Sequence, residues 1–210
     1  MVKLNSIAII EDDDKVRHYL AEQVQLCIDV NDLFVFAEAE SALKHLSVFP
    51  VDIALCDIHL PGINGIECIR HIKTIHPKTQ CMVLTVYDNT DTIFDALKAG
   101  ATGYLLKTTP AEKIIEAINE IQLGGSPISS QIARKVIEAF SLKEKANEHF
   151  QALSRREQEM LEELSKGFRY KEIADKLFIS IETVRTHIRN IYEKLQVNSR
   201  IDALRKTGLI

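Results

Sequence analysis

The chain has 210 residues, is 46% hydrophobic and 27% charged, and carries a formal net charge of -4, a balance typical of a globular protein with one large domain or two small ones. No apolar run nears the roughly 20 residues of a membrane helix, and the first residues lack the basic and hydrophobic regions of a signal peptide. The expected address is therefore the cytoplasm, without a membrane partner. The charge is uneven: ten Lys/Arg stand against eighteen Asp/Glu through Gly125, and sixteen against twelve after it, so an acidic stretch precedes a mildly basic one that can face phosphates.

In chain order, the short apolar runs "SIAII", "LFVFA", "DIALC", "CMVLT" and "GYLL" are too short for helices and apolar enough for strands covered on both faces of a parallel sheet. Between them lie helical stretches at about 14–26, 41–46, 65–76, 90–99 and 110–123. Ser41 and Asn89 are placed to cap and Pro110 suits a first turn. This alternation builds a doubly wound α/β domain over 1–123. After "GGSP" the strand signals stop. "SSQIARKVIEAF" predicts one more helix, capped by Ser129 or Ser130, and the charged "SLKEKANEH" reads as linker, so 124–150 connects to a small all-α domain at 151–210. That domain opens with Ser154 and Glu157 at capping-box spacing. Cys27, Cys56, Cys68 and Cys81 show no CxxC spacing and read as reduced packing residues.

The stretch "IAIIEDDD" drives four apolar residues into four acids. In an open parallel sheet the ligand site lies at the carboxyl ends of the strands. Glu11 and Asp12 end the first strand there, Asp57 the third, Thr85 the fourth and Lys107 the fifth. Carboxylates gathered at one point repel unless a cation neutralises them, and a hard divalent ion, Mg2+ above all, fits oxygen ligands. Asp14 reads instead as a helix cap. A metal beside an aspartate and a lysine suggests phosphoryl chemistry, with Asp57 as the attacking carboxylate. Pro61, Gly62 and Gly65 shape the turn that follows it.

An acidic pair, then D-x-x-x-P-G-x-x-G, then Thr, then Lys, each closing successive strands, resembles the receiver domain of bacterial two-component response regulators. The resemblance implies that Asp57 accepts a phosphoryl group from a sensor histidine kinase, that Glu11, Asp12 and Asp57 bind Mg2+, and that Lys107 contacts the phosphoryl group. It also implies a switch in which the Thr85 hydroxyl moves toward the phosphate while Tyr104 turns inward. Two departures stand out: Glu11 replaces the commoner Asp, and Val86 is bulkier than the small residue often found after the Thr, which predicts slower access by phosphodonors. His59, two residues after Asp57, is placed to influence the lifetime of the acyl phosphate.

"YKEIADKLFISIETVRTHIRNIYEKL" reads as two helices joined by a turn at 178–180. Ile181, Val184, Ile188, Ile191 and Leu195 share one face at helical spacing and belong to a core. Arg185, Thr186, Arg189 and Asn190 lie opposite and beside them, a surface that can enter a major groove. The pattern L-[ST]-x-R-E, K-E-I-A, S-x-x-T-V-[KR]-x-H and K-L-x-V across 153–203 resembles the LuxR-type DNA-binding domain. That resemblance implies Arg185, Thr186 and Arg189 at the groove, with Lys171, Thr183 and His187 at the phosphate backbone. Glu157 then belongs to the scaffold, and a last helix near 199–206 makes the dimer contact. Where the family often has Leu-Ser or Leu-Thr, this chain has Arg169 and Tyr170, which adds a phosphate contact and leaves the helix cap open. A flavodoxin-like receiver followed by such a helix-turn-helix domain is the architecture of the NarL/FixJ group: a non-enzymatic regulator with promoter DNA, a histidine kinase and a second copy of itself as partners.

Three other readings fare worse. An aspartyl phosphohydrolase needs a second acid two residues after its nucleophile, where His59 stands. A flavodoxin-type cofactor binder needs a phosphate-cradling loop after the first strand, where "EDDD" repels phosphate. A small-ligand LuxR regulator needs an enclosed apolar pocket in a different amino-terminal fold.

Overall fold

The computed structural model describes residues 4–210. Five strands, β1 (Leu4–Ile10), β2 (Val30–Phe36), β3 (Ile53–Cys56), β4 (Gln80–Thr85) and β5 (Ala101–Leu106), alternate with α1 (Asp14–Cys27), α2 (Ala39–Leu46), α3 (Gly65–Ile75), α4 (Thr90–Lys98) and α5 (Ala111–Gln122). All the strands pair in parallel, in the order β2-β1-β3-β4-β5. Side chains alternate across the sheet. Ile7, Ile9, Leu55, Met82 and Leu84 pack with α1 and α5 on one face. Ala8, Ile10, Ala54, Cys56 and Val83 pack with α2, α3 and α4 on the other. The edge strand β2 is only half covered, unlike the fully buried strand its apolar run predicts.

Helix starts differ from expectation in three places. Asp13, not Asp14, caps α1, its Oδ1 accepting from the Lys15 and Val16 N–H groups at 2.8 and 3.1 Å. These two backbone bonds lower the Asp13 pKa. Ser41 lies inside α2, which starts at Ala39 after an uncapped Glu38; its hydroxyl donates to the Glu38 carbonyl. Pro110 is the residue before α5 rather than its first. Asn89 does cap α4, accepting from the Thr92 N–H. Cys56, Cys68 and Cys81 are buried as expected, while Cys27 is exposed.

The stretch read as linker is structured. The chain divides into two compact units between Val136 and Ile137. In the first, Tyr104 on the outer strand β5 donates its N–H to the Pro127 carbonyl at 2.9 Å, and its own carbonyl accepts the Ser129 N–H at 3.2 Å. A parallel bridge to Ile128 results. Helix α6 (Ser130–Gln151) begins there. Its Ile132 is fully buried with Ile93, Ala96, Tyr104 and Leu106. The residues of "SLKEKANEH" continue α6, because an unbroken helical ladder satisfies their backbone and the charged side chains stay in water.

In the second unit, α7 (Arg155–Ser165), α8 (Tyr170–Leu177), α9 (Ile181–Leu195) and α10 (Arg200–Lys206) enclose Met160, Leu161, Leu164, Ile173, Val184, Ile188, Ile191 and Leu204. Among the described residues no helix is long and apolar enough to cross a membrane.

Candidate functional site

Parallel strands of similar register end on one side of a sheet, and the polar residues that follow them converge there. The Glu11 N–H donates to the Phe36 carbonyl at 3.0 Å and the Asp57 N–H to the Ile10 carbonyl at 2.9 Å, so pairing with neighbouring strands fixes both residues. Both side chains are buried and Asp12 is exposed. Carboxylate oxygens of Glu11, Asp12 and Asp57 lie within 4.8 Å of one another. The Lys107 Nζ donates to Glu11 Oε1 and Asp57 Oδ2, each at 2.8 Å, and the Ile58 N–H donates to Asp57 Oδ1 at 2.6 Å.

Burial pushes the Glu11 carboxyl up despite the opposing pull of Lys107. For Lys107, burial works against the charged form, but the bonds to Asp57 and Glu11 outweigh it and the pKa rises. One ammonium thus bonds two of three clustered carboxylates. A set of hard oxygen donors with negative charge to spare fits a hard divalent cation of the Mg2+ kind.

The surrounding loops hold this arrangement. A Cβ on Gly65 would come within 1.8 Å of the Asp57 carbonyl oxygen, so only glycine permits α3 to start so close to β3. Gly62 has φ of +71° and sits against Glu40, whose Oε1 accepts the Ile63 N–H at 2.9 Å. Asn64 caps α3 through the Glu67 N–H. Arg17, absent from the expected set, donates through Nη1 to the carbonyls of Glu11 and Asp12 at 2.7 and 3.0 Å. It holds the acidic turn from one helical turn into α1, a reach across a strand-to-helix junction that leaves no periodic signal.

Thr85 is buried at the end of β4, and its Oγ1 accepts the Tyr87 N–H at 3.5 Å. Tyr104 is already inward: its ring is fully buried and its hydroxyl donates to the Tyr87 carbonyl at 2.9 Å. Burial, then the charges of Asp88 and Asp57, push its phenol up to about 12, so it remains a neutral donor. The β4–α4 loop is also tied to α6, through Lys135 Nζ to the Asp88 carbonyl at 2.7 Å and Gln131 Nε2 to Asp88 Oδ2 at 2.9 Å. Val86 is 66% exposed. The exposed His59 places Nδ1 3.4 Å from the Tyr87 hydroxyl.

In the second unit, Phe178 takes a left-handed conformation (φ 54°) to end α8, and the Ile179 N–H closes the turn on the Ala174 carbonyl. Ser180 caps α9 by accepting the Thr183 N–H at 3.0 Å. Val184, Ile188, Ile191 and Leu195 are buried as expected. Ile181, in the first turn, is instead 37% exposed. Arg185, Thr186 and Arg189 are exposed on α9, as are Lys171 on α8 and Thr183; His187 and Asn190 are half-buried. Glu157 is buried, accepting from the Ser154 N–H at 2.8 Å, the Ser154 hydroxyl at 2.7 Å and Lys194 Nζ at 2.8 Å. It is a scaffold residue. At Arg169 the capping bond is the backbone N–H donating to Glu172 at 2.7 Å, which leaves the exposed guanidinium available.

The family model for the response regulator receiver domain matches residues 7–119. The one for bacterial regulatory proteins of the luxR family matches residues 151–207. The chain belongs to the NarL/FixJ-type response regulators. These are transcriptional regulators rather than enzymes. This response regulator is 33% identical over 206 residues to the transcriptional regulatory protein LnrK of Bacillus subtilis (strain 168), covering 94% of its own length and 93% of LnrK. It is 30% identical over 200 residues to the oxygen regulatory protein NreC of Staphylococcus carnosus (strain TM300), with 92% of each chain covered. Its fold is shared with the Salmonella typhimurium RcsB response regulator at a TM-score of 0.65 and 23% identity, covering 97% of this chain and 99% of that one.

Proposed function

We propose that this response regulator is switched by phosphorylation of Asp57 by a sensor histidine kinase and, once switched, binds promoter DNA as a dimer. The observation that carries the reading is the approach of the Glu11, Asp12 and Asp57 carboxylates within 4.8 Å, with Lys107 Nζ 2.8 Å from two of them. Glu11, Asp12 and Asp57 are the residues that would hold Mg2+, which when bound supplies charge neutralisation for a transferring phosphoryl group. An Asp57 oxygen forms the new bond to phosphorus as the bond to the donor's imidazole nitrogen breaks, and Lys107 carries part of the charge on the phosphoryl oxygens. The added charge of roughly -1.5 to -2 and its acceptor oxygens then draw the Thr85 hydroxyl, and the loop bearing Tyr87 moves with it while Tyr104 stays inward.

In the DNA-binding domain, Arg185, Thr186 and Arg189 meet the major groove, and Lys171, Thr183, His187 and Arg169 meet the backbone. A pair of α9 helices, one from each copy, engages two half-sites, with α10 at the dimer contact. A promoter-DNA partner supports a cytoplasmic address. The test is a comparison of size and DNA binding on one preparation, with and without beryllofluoride and Mg2+. The expected result is a shift toward dimer and tighter specific binding in their presence; identical behaviour in both conditions overturns the reading.

A further inference from the structure

Residues 182, 185, 186 and 189 fall on one stripe of α9, at i, i+3, i+4 and i+7, and all four are exposed. Three belong to the proposed groove-facing set. The fourth, Glu182, is an acid on a surface meant to meet a polyanion. An acid in a helix's first turn interacts well with the backbone dipole, but Asp or Glu could do this at a position off the stripe. Its partner is more informative: Glu182 Oε1 accepts from Arg185 Nη1 at 2.6 Å. Around the same turn, the Thr186 hydroxyl donates to the Glu182 carbonyl at 3.0 Å, so its O–H donor is taken and it offers a base its methyl and an acceptor lone pair.

We propose that Glu182 is a specificity-determining residue of the DNA-binding domain. Its Oε1 orients the Arg185 guanidinium toward the O6 and N7 of a guanine. Its Oε2 accepts a hydrogen bond from the N4 amino group of a cytosine in the same or the adjoining pair. The chemistry favours cytosine over adenine, because the cytosine edge in the major groove presents a donor with no acceptor beside it, whereas adenine places the N7 lone pair next to its amino group, against a second carboxylate lone pair. Thr186 then supplies an apolar contact for a neighbouring thymine methyl. Against phosphates the same carboxylate is repulsive, so Glu182 lowers affinity for arbitrary sequence while raising discrimination.

This inference rests on α9 being the helix that enters the groove, and the test separates the two. Full-length protein with beryllofluoride and Mg2+ selects from a randomised duplex pool, in parallel with Glu182→Ala and Glu182→Gln. The expected result is a G·C preference at one position of each half-site for the unaltered chain. Glu182→Ala loses that preference by on the order of 5- to 150-fold, the range of one base contact, and binds random duplex more tightly. Glu182→Gln shifts the preference toward A·T, since an amide pairs with adenine N6 and N7. Helix content and thermal midpoint stay the same in all three, which excludes a purely structural role. Identical base preferences in all three proteins overturn the inference, as does an equal rise in affinity on every sequence. If the unaltered chain selects no sequence, and Arg189→Ala leaves its binding to random duplex unchanged, the groove-entry reading itself fails.

Discussion

At Asp57 the two carboxylate oxygens have different occupations: Oδ1 accepts the Ile58 N–H and Oδ2 the Lys107 ammonium. Replacing Asp57 with Asn keeps the shape but removes the negative charge of the proposed nucleophile, so Asp57→Asn is expected to abolish labelling by acetyl phosphate; labelling at the unaltered rate would exclude Asp57 as the acceptor. Glu11 has a different problem, being a buried carboxyl. Its folded pKa lies above the ordinary 4.5, with burial as the cause, so the folded receiver holds that proton more tightly than the unfolded chain. The favourable contribution is present below pH 4.5 and is lost as pH rises through the raised folded value. Near neutral pH in EDTA, Glu11→Gln should therefore raise the receiver's unfolding midpoint while reducing the further gain on adding Mg2+. Calorimetry with and without the ion checks both. His59, two residues after Asp57, is within reach of the Tyr87 hydroxyl. His59→Ala is expected to change the dephosphorylation rate several-fold, and an unchanged rate would mean that the pair has no hold on the attacking water.

Among the elements, α6 departs most from its sequence signal. Ile132 is fully buried beside Tyr104, so Ile132→Ala should cost the receiver roughly 2–5 kcal/mol, measured by urea unfolding. Lys135→Ala, which removes a partly exposed pair with Asp88, should cost under about 1 kcal/mol. In the DNA-binding domain, burial of Glu157 raises its pKa, but the Lys194 and Ser154 bonds outweigh this and the net shift is downward from 4.5. Its stabilising contribution is present above pH 4.5 and is lost as pH falls through the lowered folded value. Glu157→Gln should cost about 1–3 kcal/mol at neutral pH and flatten the acid limb of the stability curve. The strand-end residues were legible because carboxylates after apolar runs have few structural uses, and the buried stripe of α9 because helical spacing is periodic. The role of Pro127 to Ile132 was not, since an apolar residue in "SSQIARKV" does not say which surface it meets. Arg17 was equally silent, because its i,i+3 pairing with Asp14 reads as an ordinary helix-surface ion pair, while the bonds that hold the acidic turn go to backbone carbonyls that every sequence carries. Ile181 matched the stripe by spacing alone, yet the first turn of α9 leaves it exposed.

At the scale of the whole molecule, the buried residues on the two faces of the receiver sheet and those of the helical unit have no member in common, and the division into two units predicts that unfolding is not a single two-state event. Ile132→Ala should lower one transition and Glu157→Gln the other, as followed by calorimetry. DNA binding should weaken as salt rises, through counterion release from the basic contacts. The short pairing of Pro127, Ile128 and Ser129 along β5 has a consequence for handling the protein in pieces. A fragment cut at residue 123 would leave the outermost rung of the ladder bare and a greasy hollow where Ile132 sat, an invitation for neighbouring copies to stick edge to edge. Extending the fragment to residue 136 should keep it dispersed at concentrations where the shorter one clouds.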